Sequence, residues 1–129
     1  MAMKKTAQLL LILLFSLSLL FHLLVVFKVI PYAIVWGGRL QTDTDMYRFE
    51  TVSIIVNLFS LMVLLLKSGI IKSPIRPSFV NGALWVMFAL MAMNTVGNLF
   101  SGNNLERIIF TPLTLVSAIL LLVVLLRKG

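Results

Sequence analysis

Glu50 and Asn57 stand seven residues apart in a stretch dominated by Ile, Val, Leu and Phe. Seven residues make two turns of an α-helix, so a carboxylate and an amide share one face. Asn94 and Asn98 are four apart, and Arg107, Thr111 and Thr114 follow at spacings of four and three, so each set again makes one helical face. His22 is the only histidine. Three kinds of chemistry are open to these residue types. Glu50 or His22 can act as a general base. Amides and hydroxyls can orient the polar end of a small molecule. Trp36-Gly37-Gly38-Arg39 can make an anion-binding turn, because two glycines allow positive φ, successive amides form a nest, and Arg39 adds charge. A metal centre needs more than this chain offers. There is no cysteine, and one histidine cannot build a zinc or dihaem site without a second chain. No metal and no cofactor are expected.

These groups sit in a chain whose solvent is lipid. Of its 129 residues, 60% are hydrophobic and 12% are charged. A soluble domain of this size carries about twice that charge. Mean hydropathy is +1.09. The net charge of +7 is no nucleic-acid footprint, because the basic residues punctuate the ends of apolar runs and form no stripe. Nucleic acid is excluded as a partner.

Four apolar runs, at about 6–28, 50–67, 79–100 and 107–127, predict four transmembrane helices in one domain. Lys4 and Lys5 before the first run resemble the start of a signal peptide. The run is long for that, and no small-x-small pattern follows, so it reads as a retained helix. Lone strands could not satisfy their backbone in lipid. Gly69, Pro74 and Pro77 break the chain between the second and third runs, and Ser101-Gly102-Asn103-Asn104 makes a polar turn after the third. Short links make neighbours antiparallel, which predicts an all-α, up-down four-helix bundle. Lys4, Lys5, Lys67, Lys72, Arg76, Arg127 and Lys128 then share one side, and Lys28, Arg39, Arg48 and Arg107 the other. The more basic side is expected to be cytoplasmic, with both termini. All four acids, Asp43, Asp45, Glu50 and Glu106, fall outside.

With that orientation every polar stripe lies in the outer half of the bilayer, while 9–15, 61–66 and 119–126 are nearly all apolar. Polar groups in lipid are expensive and should face one another. The expectation is a polar cavity, open to the outside and floored by Leu, Val and Phe. Its lining is expected to be Glu50, Asn57, Asn94, Asn98, Arg39, His22, Trp36 and Thr111. Plainer readings stay open. The asparagines can be interhelical glue, at about 0.6 kcal/mol each. Glu50 can sit at a helix start or pair with Lys28, Arg39 or Arg107. His22 can be a hydrogen-bonded interior or proton-responsive residue. Thr111-Pro112 can start or kink a helix. The turn at Trp36 to Arg39 can be an interfacial anchor.

Ile30-Pro31-Tyr32 with Val35-Trp36-Gly37-Gly38-Arg39-Leu40, then Met46-Tyr47-Arg48-Phe49-Glu50-Thr51, then Asn94-Thr95-Val96-Gly97-Asn98 carry a family likeness. They resemble stretches of a group of small, uncharacterised bacterial four-span membrane proteins, which implies a bacterial inner-membrane location and carries over no activity. The layout, with an acid on the second span, is also similar in outline to the sterol-isomerase-like superfamily, which keeps a lipid-like ligand in view. The function expected is binding of a lipid-like or amphiphilic small molecule. A protomer of an oligomeric transporter for ions or small solutes, and an accessory subunit of a membrane complex, remain alternatives. An enzyme of the outer leaflet, with Glu50 or His22 as general base, would need a second well-placed group, and Asp43 and Asp45 are expected in the loop before the second span. The expected partners are membrane lipids, an amphiphilic small molecule, and a second copy or another membrane protein.

Overall fold

The computed structural model describes residues 2–34, 40–102, 104 and 106–126. The described chain is helical and carries no strand. Its helices are α1 (Ala2–Val26), α2 (Asp43–Ser68), α3 (Pro77–Leu99) and α4 (Thr111–Leu126). A short 3₁₀ turn, Tyr32–Ile34, lies between α1 and α2, and a π turn, Glu106–Phe110, leads into α4. Four segments, Met3–Val26, Asp43–Ser68, Pro77–Leu99 and Glu106–Leu126, are long and apolar enough to cross a membrane. The outside agrees with that solvent. Leu13, Val52, Phe59, Val86 and Ile119 are all exposed, a surface that water would penalise and lipid accepts.

The helix ends follow local rules. α1 closes with a Schellman pattern: Lys28 N–H donates to Val25 O at 3.0 Å and Val29 N–H to Leu24 O at 2.9 Å. The left-handed residue there is Lys28, at φ 61°, where glycine is usual. Its Nζ donates to Asp43 Oδ2 at 2.5 Å, and that bond raises the lysine above its ordinary pKa. α2 ends at Gly69, at φ 83°, a conformation glycine adopts without steric penalty. Pro77 opens α3, where a missing N–H is harmless.

The start of α2 corrects one sequence expectation. Asp43 and Asp45 were expected in a loop, with the second span beginning near Glu50. Instead Asp43 opens the helix. Thr42 is the N-cap, its Oγ1 accepting from Asp45 N–H at 3.1 Å. The two aspartates lie at the positive end of the helix dipole. Thr42→Ala should destabilise the protein by about 1 kcal/mol, read as a lower unfolding temperature by circular dichroism with native helicity retained at 20 °C or so.

Each helix packs chiefly on two others: α1 on α2 and α4, α3 on α2 and α4, with the α2–α3 contact the thinnest. The interior has two apolar clusters. The larger joins Ala7, Leu11 and Phe15 of α1 to Val63 and Leu64 of α2, Val80, Leu84 and Met87 of α3, and Leu121 and Val124 of α4. The smaller joins Val25, Leu40 and Met46, with Phe21, Ile30 and Tyr32 against them. Along α1 and α2 the polar residues Ser18, His22, Glu50, Ser53, Asn57 and Ser60 fall between the two clusters.

Candidate functional site

The centre of this polar layer is a pair. His22 Nδ1 and Glu50 Oε2 are 2.5 Å apart. Glu50 is fully buried, and the His22 side chain is 18% exposed. A carboxylate only accepts, so one proton lies between the two groups. The imidazole ring stacks edge-on against Phe21, at 5.6 Å, and Phe21 stacks edge-on against Phe110, at 5.1 Å. α1 thereby holds the histidine between α2 and the π turn. Met46 and Val25, each with no exposed surface, close the layer on the side of Leu40.

Asn57 lies on the same inner line of α2 and is buried. Its Nδ2 donates to Ser53 O, one turn back on its own helix, at 2.8 Å. Its Oδ1 is buried without a hydrogen-bond partner. Ser60, one turn further on, is 1% exposed. Among the described residues Asn57 makes no interhelical hydrogen bond.

Asn98 is half-buried near the end of α3, and Asn94 is exposed. The inner line of α3 runs through Val80, Leu84 and Met87. One helical step separates position 94 from Thr95, and it is Thr95 that bonds across to α4, donating to Thr114 Oγ1 at 2.9 Å. Thr111 is half-buried, its Oγ1 donating to Glu106 O at 3.3 Å. Trp36 and Arg39 lie outside the described residues.

The stripe expected at Arg107, Thr111 and Thr114 is broken by the π turn. Arg107 is exposed and bonds Asn104, whereas Glu106 is buried. The reason is Pro112. It has no N–H to give, and its ring crowds the carbonyl one turn back. A π turn, with its i to i+5 pattern, relieves that crowding. It also shifts the preceding face by one residue, so 106 stands behind 111 where 107 was expected. Pro112 carried the signal, since a proline at the sixth residue of the fourth run foretells an irregular turn. Thr95, Ser60 and Ser117 were also missed. Ser117 is buried with its Oγ donating to Leu113 O. Its three-residue step from Thr114 was the available clue.

An open groove lined by Lys28, Ile30, Pro31, Tyr32, Leu40 and Gln41 runs along the α1–α2 link. Among the described residues no three His, Asp or Glu side chains group so as to hold a metal ion.

Fold and site together define an all-helical protein with four membrane-length helices and a polar layer set between apolar clusters. No protein-family model matches the chain, and no curated protein or solved structure does either.

Proposed function

We propose that this is an inner-membrane protein, an up-down bundle with both termini cytoplasmic, that binds a lipid-like or amphiphilic small molecule in the outer half of the bundle. Three interhelical bonds support the topology: His22 to Glu50, Lys67 to Asn81, and Thr95 to Thr114. Each joins an early part of one helix to a late part of its neighbour. Counted in opposite directions from these bonds, His22, Glu50, Asn98 and Thr111 come to one level. Asn57 comes to lie about 10 Å nearer the bilayer middle.

The observation that carries the binding reading is the unpaired Asn57 Oδ1 beneath the His22–Glu50 pair. A bundle that had only to stand in lipid gains nothing from burying an acceptor there, since the omission costs about 1–3 kcal/mol. Entry is from the side. Val25, Leu40 and Met46 close the end, whereas α3 buries nothing beyond Met87 and its contact with α2 is thin. An amphiphile would place its polar end at Glu50 and Asn57 and its chain in the α2–α3 gap. A transport path fits less well. Leu11, Leu64, Leu84 and Leu121 have no exposed surface and seal the other half of the core. A second reading, an assembly partner, is favoured by Asn94, an amide left on the outer surface of a membrane-length helix.

Native mass spectrometry of the protein released from a mild detergent tests the binding reading. The wild type should retain an added mass that Glu50→Gln loses. Glutamine keeps an acceptor for His22, so the fold should survive the change. A folded wild type that emerges bare after incubation with membrane lipid extract would overturn the binding reading.

A further inference from the structure

A second group of side chains meets at the opposite end of the bundle from the His22–Glu50 pair. Lys67, in the last turn of α2, is half-buried, and its Nζ donates to Asn81 Oδ1 of α3 at 2.6 Å. Lys4, in the first turns of α1, stands eighteen residues before His22, much as Lys67 stands seventeen after Glu50, so both lie at this end of the bundle. Lys72 and Arg76, both exposed, follow on the link to α3. Among the described residues no acidic side chain is near. Asp43, Asp45 and Glu50 lie toward the start of α2, with Glu50 about 25 Å from Lys67 at 1.5 Å per residue, and Glu106 lies in the π turn before α4.

Lys67 is thus a cation partly withdrawn from water and held by a neutral amide. Withdrawing a cation without a counter-charge is unfavourable, and a carboxamide supplies only a dipole. The missing component is an anion. We propose that Lys67, Asn81 and Lys4 form a site for the phosphate of an anionic lipid headgroup. A lipid suits the flanking surface better than a free anion. Met3, Ile70 and Phe79, beside these residues in the chain, are 53%, 61% and 61% exposed and offer apolar contact for the acyl chains. This site is independent of the outer polar layer and does not rest on the function proposed there.

The full chain in mild detergent would be titrated with phosphatidylglycerol, phosphatidylcholine or inorganic phosphate. The unfolding midpoint and the retained lipid mass would be read. Phosphatidylglycerol should raise the midpoint and remain bound, and the other two at equal concentration should not. Lys67→Gln should weaken phosphatidylglycerol about five-fold, as expected for one basic group at a membrane surface. Lys72→Gln should change it less than two-fold or so. Asn81→Asp supplies a carboxylate beside Lys67, so the lipid-free protein should unfold at a higher temperature and respond little to phosphatidylglycerol. Equal protection by both lipids would overturn the site, as would an equal effect of Lys67→Gln and Lys72→Gln, or undiminished lipid dependence in Asn81→Asp. Protection by inorganic phosphate as strong as by phosphatidylglycerol would overturn the lipid as its occupant.

Discussion

His22→Leu should destabilise the protein by about 2 kcal/mol, within the range for losing a hydrogen bond to a buried polar group. The loss arises from the removal of one hydrogen bond to a carboxyl group held inside the bundle. Glu50 has no exposed surface, and its Oε2 would lose the imidazole that now stands 2.5 Å away. The double variant His22→Leu/Glu50→Leu should recover most of that loss, because two apolar side chains of similar bulk fill the space without a charge to solvate. A double-mutant cycle on the unfolding free energy in detergent measures the coupling. Additivity within about 0.5 kcal/mol would mean that the two groups do not act on each other, and the pair would drop out of the site.

Asn57→Leu should move stability the other way, upward by about 1–2 kcal/mol in the ligand-free protein. The wild type buries Asn57 Oδ1 without a partner, and such a group carries a desolvation penalty of that order. The bond that leucine removes is a second one to Ser53 O on the same helix, and its loss should be small. The same variant should lose the bound amphiphile. Greater stability with lost binding is the pattern of a residue kept for function. A fall in stability of about 0.6 kcal/mol or more, the mean for a hydrogen bond between membrane helices, would show that Oδ1 has a partner after all. Asn57 would then be structural glue, and the binding reading would lose its main support.

Much of this architecture is legible in the amino-acid order alone. In lipid every backbone group must be satisfied within its own segment, so an uncharged apolar run of sufficient length has one solution, a helix. That is why three of the four expected spans agree with α1, α3 and the π turn with α4 to within a few residues. Thr42, followed three residues later by Asp45, has the spacing of a helix cap, whereas hydropathy marks only the edge of the apolar run near Glu50. The extra turns of α2 are amphipathic and rest on capping and on Met46, neither of which hydropathy reports.

The partners within the site were decided by tertiary structure. The sequence by itself determined that polar groups cluster toward one end of an otherwise apolar chain. Their depth follows from their distance along each helix. It could not determine which residue faces which, because facing depends on helix rotation, and 100° of rotation is a single residue. Position 94 was expected inside, yet Thr95 makes the bond to α4. Arg107 was expected inside, yet the π turn brings Glu106 in. Of the partners expected for Glu50, Lys28 reaches Asp43 and Arg107 bonds Asn104, Arg39 lies outside the described residues, and Glu50 meets His22. Charge alone favours the basic residues. Packing of α1 against α2 chose the histidine, because it lies on the inner face at the level of Glu50 and a lysine two residues past the end of α1 does not.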